Sequence, residues 1–155
     1  YDLVPQMESA DKYMMSWMEW NYSGVGDITT AGSPLPESLV FDPQLAPTGD
    51  NVNIGSLRIL AGPYPQTISG TPIAFSNTGG TFTFSYNSEK VDGSGTFDAG
   101  STTVISVPAV NYPNGYQVSV TGGHVVPTAN TSLLVVASDS AIGTVTVVVT
   151  ANAAL

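Results

Sequence analysis

The chain has 155 residues, 42% of them apolar, which suffices for one domain with a real core and is too apolar for a disordered chain. Only 10% are charged, the net charge is −9, and Lys12, Arg58 and Lys90 are its only lysine or arginine residues. Nucleic-acid binding, which needs clustered cations, is thereby excluded and anionic membrane surfaces are disfavoured; the lack of cysteine removes disulfides, thiolate nucleophiles and thiolate metal sites.

Leu3, Met7 and Ala10 recur at helical spacing behind Asp2, a suitable N-cap, so the spacing predicts a helix of roughly three turns ending near Lys12. The apolar and aromatic run Met14-Met15-Ser16-Trp17-Met18-Glu19-Trp20-Asn21-Tyr22 follows and suits a buried strand, broken by Gly24 and Gly26. Residues 23 to 50 read as a long irregular loop punctuated by Pro34, Pro36, Pro43 and Pro47. Ile54, Leu57, Leu60 and Ala61 predict a second helix, stopped by Gly62-Pro63, with Asp50 placed to cap it. Helix, strand, loop and helix make one and a half α/β units, and a lone strand of that kind needs sheet neighbours that this chain does not encode.

From Thr71 onward the grammar changes to Val and Thr between Gly, Asn and Pro turns. Candidate strands are Pro72 to Ser76, Thr81 to Asn87, Thr102 to Val107, Tyr116 to Thr121, His124 to Val126, Ser132 to Ala137 and Thr144 to Thr150. Alternation is clearest in Thr81 to Tyr86, where Phe82, Phe84 and Tyr86 share one face. Turn signals stand at Asn77 to Gly80, Asp92-Gly93, Pro113 to Gly115 and Gly122-Gly123. About seven short strands at this spacing predict an antiparallel β-sandwich.

Two stretches are more specific: Ala61-Gly62-Pro63-Tyr64-Pro65-Gln66-Thr67-Ile68-Ser69-Gly70-Thr71-Pro72, and Val107 to Tyr116 followed by Val120-Thr121-Gly122-Gly123. Both resemble the junction and C-terminal sandwich of endoglycoceramidase-like enzymes of the cellulase-like glycoside hydrolase family 5. Trp17 to Tyr22, the stretch from Asp27 to Gly32 and Pro47-Thr48-Gly49-Asp50-Asn51-Val52 resemble that family's last barrel strand, its following loop and the run into the last helix.

The resemblance implies a mainly β chain: an Ig-like antiparallel sandwich over residues 64–155. Before it, residues 1–63 would be the last helix–strand–helix of a (β/α)8 TIM barrel, with residues 1 to 13 as the seventh helix, 14 to 20 as the eighth strand and 52 to 62 as the eighth helix. The family's catalytic glutamates belong to strands four and seven, before this chain begins, so this chain alone is expected to be inactive. Retaining hydrolysis needs two carboxyl groups about 5 Å apart. The implied partner is a larger N-terminal barrel fragment carrying both glutamates. The implied reaction is cleavage of a β-glycosidic bond between sugar and lipid, such as ceramide, with steryl or bacterial glycolipids as alternatives. By the same alignment Trp20 ends strand eight and would stack on a sugar, an indole face suiting the apolar face of a pyranose. No cofactor or metal is expected, and the location implied is secreted or cell-surface.

The remaining residues read more plainly. Trp17 defaults to packing; Glu19, beside Trp20, would face out of a barrel and hold a structural ion pair or hydrogen bond. Asp27, Asp42 and Asp50 form no dense calcium loop and suit Asx turns and capping, and His124, the sole histidine, is a strand residue. Asn21-Tyr22-Ser23 and Asn130-Thr131-Ser132 fit the glycosylation sequon. Tyr1-Asp2-Leu3 has no signal-peptide character, and no apolar run nears the ~20 residues of a membrane span, so a mature, processed or truncated start is expected. A second reading is a non-catalytic carbohydrate-binding or surface-assembly sandwich, which a row of exposed aromatics on one sheet face would favour.

Overall fold

The computed structural model describes residues 3–19, 22–23, 37–127 and 131–153. The elements are helix α1 (Leu3–Lys12), a 3-10 turn (Gly49–Asn51) and helix α2 (Ile54–Leu60). The strands β1 (Tyr64–Thr67), β2 (Thr71–Thr78), β3 (Thr81–Asn87), β4 (Thr102–Ser106), β5 (Tyr116–Thr121), β6 (Gly123–Val125), β7 (Leu133–Ser138) and β8 (Thr144–Ala151) follow. The chain is therefore mainly β. One sheet runs β1-β4-β7-β6 and the other β2-β3-β8-β5, every neighbouring pair antiparallel.

Period-two alternation builds the core. Phe82, Phe84 and Tyr86 of β3 point inward with Val145, Val147 and Val149 of β8, and meet Ile105 of β4 with Leu134 and Val136 of β7 from the opposite sheet. Val148, between inward-facing Val147 and Val149, faces outward. Phe84 stacks on Tyr86 at 5.5 Å, and Phe75 meets Phe82 edge-on at 5.7 Å. Each fully buried ring or branched side chain contributes roughly 1.5–3 kcal/mol from area alone.

Two glycine pairs shape the sheets. Gly79 and Gly80, both at positive φ, form the two-residue turn that pairs Thr78 with Thr81. Gly122 alone separates β5 in one sheet from β6 in the other. A Cβ at Gly122 would lie 2.2 Å from the Thr144 carbonyl oxygen, and one at Gly123 would lie 2.5 Å from that of Ala137. The chain can change sheets there only because both residues lack side chains.

β1 escaped the sequence reading. Pro63 and Pro65 punctuate it and it shows no alternation, as suits an edge strand that pairs on one side with β4 through a bulge.

α1 buries Leu3 and Ala10 and packs against β2 and α2. It ends in a Schellman motif, the Met14 N–H donating to the Asp11 carbonyl (3.0 Å) and the Met15 N–H to that of Ala10 (2.8 Å). Met14 takes the left-handed conformation (φ 51°) that this motif normally gives to glycine. Asp2, the expected cap, lies outside the described residues.

The expected strand over 14–20 is not present in the described part: residues 15–19 pair with no strand, and Met15, Trp17 and Met18 are 62%, 44% and 97% exposed. A strand is a property of a pair, and Met15, Ser16 and Trp17 line a groove beside β1 and β2 without joining either sheet among the described residues. The cap of α2 also differs from expectation. Asp50 sits in the 3-10 turn, and the Asn53 side chain accepts from the Ser56 N–H (3.3 Å). The end of the long loop is ordered around Asn51, whose amide donates to the carbonyls of Asp42 (2.9 Å) and Ala46 (3.0 Å) and accepts from the Asp42 N–H (2.8 Å). An isolated bridge between Val40 and Val52 completes that knot.

Candidate functional site

The two sheets close at the β5–β6 crossover and open at the opposite edge, where β1 and β2 lie. α1 and α2 stand over that opening and leave a groove of about 910 Å³, lined among others by Met7, Met14, Trp17, Leu60, Ile68 and Phe75. Methionines suit such a wall because unbranched thioethers adapt to varied contacts. The left-handed turn at Met14 brings Met14 and Met15 to this groove.

Asn111 welds the helices to the sandwich. From the loop before β5 its amide donates to the carbonyls of Arg58 and Ala61, each at 3.0 Å, satisfying two acceptors at the C-terminal end of α2 that have no helical partner. The loop is anchored below by Tyr112 and Tyr116, buried and edge-to-face at 5.8 Å, whose phenols burial pushes above their ordinary pKa. The Tyr116 hydroxyl donates to the Thr131 carbonyl (2.9 Å).

Charge in this part of the molecule is poorly matched. Asp11 lines the groove and its carboxyl is pushed up to about 6, first by burial and then by Glu8 one turn earlier. Glu19 is likewise raised by burial and, to a lesser extent, by Glu37; a Glu37 carboxylate oxygen is buried without a hydrogen-bond partner. Among the described residues Glu19, expected to hold an ion pair or hydrogen bond, has a second carboxylate, Glu37, for a charged neighbour. Neither Glu19 nor Glu37 lines the groove.

Trp20, Asp27, Asn21 and Asn130 lie outside the described residues. Trp17, assigned to packing, is half exposed on the groove wall. Asp42 makes an Asx turn, its carboxylate accepting from the Gln44 N–H (2.8 Å). His124 is a β6 residue whose Nδ1 lies 2.6 Å from an Asp139 carboxylate oxygen on the surface. Among the described residues no three His, Asp or Glu side chains converge as metal ligands, and no helix is long and apolar enough to cross a membrane. Asn111, Asn51 and the Glu8–Asp11 pair are additions to the sequence reading. The spacing of Glu8 and Asp11, three apart on a helix, was the one signal available for them.

A family model described as the glycoside hydrolase family 5 C-terminal domain matches residues 63–149, more than half the chain. The chain belongs to this family. Its matched region begins beside the α2 C-terminus and runs through almost all of β8, so the family 5 C-terminal domain here contains both sheets and the Asn111 loop. No curated protein matches the chain. Among solved structures it is similar to sterylglucosidase 1 of Cryptococcus neoformans, with 17% identity and a TM-score of 0.66 over 97% of this chain and 23% of that one. That likeness is one of fold and includes the helices. It is also similar to endo-glycoceramidase II of Rhodococcus sp., with 29% identity and a TM-score of 0.47 over 68% of this chain and 22% of that one. The chain thus spans under a quarter of the length of these solved relatives.

Proposed function

We propose that this chain is the C-terminal portion of a secreted retaining β-glycosidase that acts on glycolipids. In this reading residues 1–63 complete a (β/α)8 barrel supplied by a larger N-terminal fragment bearing both catalytic glutamates, and residues 64–155 form an Ig-like accessory domain that holds the barrel's last helix. The observation that carries the reading is the run Met15–Met18. It is apolar, exposed and unpaired beside a sandwich that already fills its own core. Burying three such side chains against a neighbouring sheet would contribute several kcal/mol, at about 2 kcal/mol each.

Trp20 is proposed as the sugar platform at the barrel mouth. The glycolipid class rests on the motif resemblance at 61–72 and 107–116 together with membership of family 5. The alternative glycan-binding sandwich gains no support, because Phe82, Phe84, Tyr86, Tyr112 and Tyr116 are in the core and leave no aromatic row on a sheet face.

The test is co-expression with the N-terminal barrel portion. A stable complex is expected, active on a fluorogenic glycolipid, with Trp17 emission blue-shifted on assembly and kcat/KM lowered about a hundredfold or more by Trp20→Ala. Failure of the two parts to associate, or glycolipid turnover by this chain alone, would refute it.

A further inference from the structure

We propose that the seating of α1 on β2 and α2 is an acid-favoured latch, tight when the Glu8–Asp11 carboxyl pair holds a proton and looser once that proton is lost. Glu8 and Asp11 stand three residues apart on one face of α1, and both line the groove whose other walls include Ile59, Leu60 and Phe75. Asp11 is flanked on its own helix by Glu8 and by Lys12, whose ammonium lies 5.3 Å over the Tyr13 ring. Arg58 lines the groove from α2, Tyr64 from β1, and Tyr112 from the loop before β5. None of these forms an ion pair with Asp11; among the described residues the ion pair is His124 with Asp139, far along the chain on β6 and after β7. An ionised Asp11 is therefore a charge in a mainly apolar groove beside a second carboxylate, with no ion-paired cation among the described residues. Such burial is unfavourable, and protonation removes both the desolvation and the repulsion.

The sign follows from linkage. Seated, the Asp11 carboxyl titrates near 6; lifted into water, it returns to its ordinary 3.8. Below the lower value both forms are protonated and the latch has its full strength. As pH rises between the two values the lifted form ionises first, so the seated form loses ground, and the loss is complete above the higher value. A shift of that size would change the lifted-to-seated ratio by about a hundredfold. Asp11 is only partly buried, and screening by solvent brings the expected change to about tenfold.

Hydrogen exchange of the full chain at pH 3 and pH 7.5, which lie below and above both titrations, corrected for intrinsic exchange rates, tests this. Protection of a peptide covering α1 is expected to fall about tenfold at the higher pH, with peptides from β3 and β8 unchanged. Asp11→Asn is expected to keep the acid-level protection at both values, and Glu8→Gln to retain part of the wild-type slope, since repulsion is the lesser cause. Wild-type protection that ignores pH overturns the proposal, and so does Asp11→Asn with the wild-type slope. An Asp11→Asn chain whose α1 is unprotected at both values overturns it as well, because the carboxyl would then be acting as a contact rather than as a proton store.

Discussion

Asn111 joins two segments distant in sequence, and its substitution gives a graded test of how the helices are held on the sandwich. The amide donates to the carbonyls of Arg58 and Ala61, 53 and 50 residues away, each at 3.0 Å. A neutral hydrogen bond is worth about 0.5–1.5 kcal/mol net, and of these two one is exposed and the other partly buried. Asn111→Ala should therefore cost about 1–2 kcal/mol, lowering the melting temperature by roughly 3–6 °C for a chain of this size. Asn111→Asp should cost more than Ala, about 2–3 kcal/mol at neutral pH. Its carboxylate cannot donate, and it would face two carbonyls at the negative end of the α2 dipole. Part of the Asp penalty should vanish when the carboxyl is protonated at low pH. Thermal melts at pH 4 and 7, with exchange protection of α2 as the local probe, measure both. Equal melting temperatures for wild type, Ala and Asp would refute the clamp; Asp milder than Ala would refute its polarity.

Gly123→Ala should destabilise by about 3 kcal/mol or more, read as a fall in denaturation midpoint, because its Cβ would lie 2.5 Å from the Ala137 carbonyl oxygen at the sheet crossover. Tyr86→Phe should be neutral or slightly stabilising, since its buried hydroxyl has no partner. Tyr116→Phe, which loses the bond to the Thr131 carbonyl, should cost about 1 kcal/mol by the same denaturation curves. Met14→Gly should stabilise the isolated chain by about 1 kcal/mol by relieving the left-handed backbone, and a destabilised variant would show that the Met14 side chain holds α1 through the groove.

The strands were legible because they obey a local rule. Phe82, Phe84 and Tyr86 alternate without interruption, and the observed β3 coincides with the predicted Thr81 to Asn87. β5, β7 and β8 likewise lie within a residue or two of the predicted bounds. β1 was not legible because its pattern carries prolines instead of alternation, and its pairing is set by β4, some forty residues on. The cap of α2 was assigned to Asp50, and Asn53 does the work. Both are good capping residues, and the choice is made by the 3-10 turn between them and by the Val40–Val52 bridge, which no local pattern announces. Asn111 was visible as part of a motif without a role, since its acceptors are remote. The run at 14–19 shows the limit most clearly. Its composition is that of a strand, but the pairing edge is not among the described residues of this chain.

The distribution of these mismatches is itself informative. From β3 to β8, propensity, alternation, turn chemistry and burial largely agree, and the core fills without help from the helices. Before residue 53 they conflict. Met14 holds a backbone that glycine would hold without strain, Met18 is almost wholly exposed, and two pairs of carboxylates repel with no ion-paired cation among the described residues. Natural chains keep local conflicts where another requirement outweighs them. A surface built to receive a sheet explains the exposed apolar run and the turn that feeds it. The Glu8–Asp11 pair shares the groove with Met15 and Trp17, and paired carboxylates there call for a separate cause, which the acid-favoured latch supplies. The two explanations part at Met14: Met14→Gly should strengthen the isolated chain and weaken its assembly with a barrel fragment, while leaving the pH response of α1 intact.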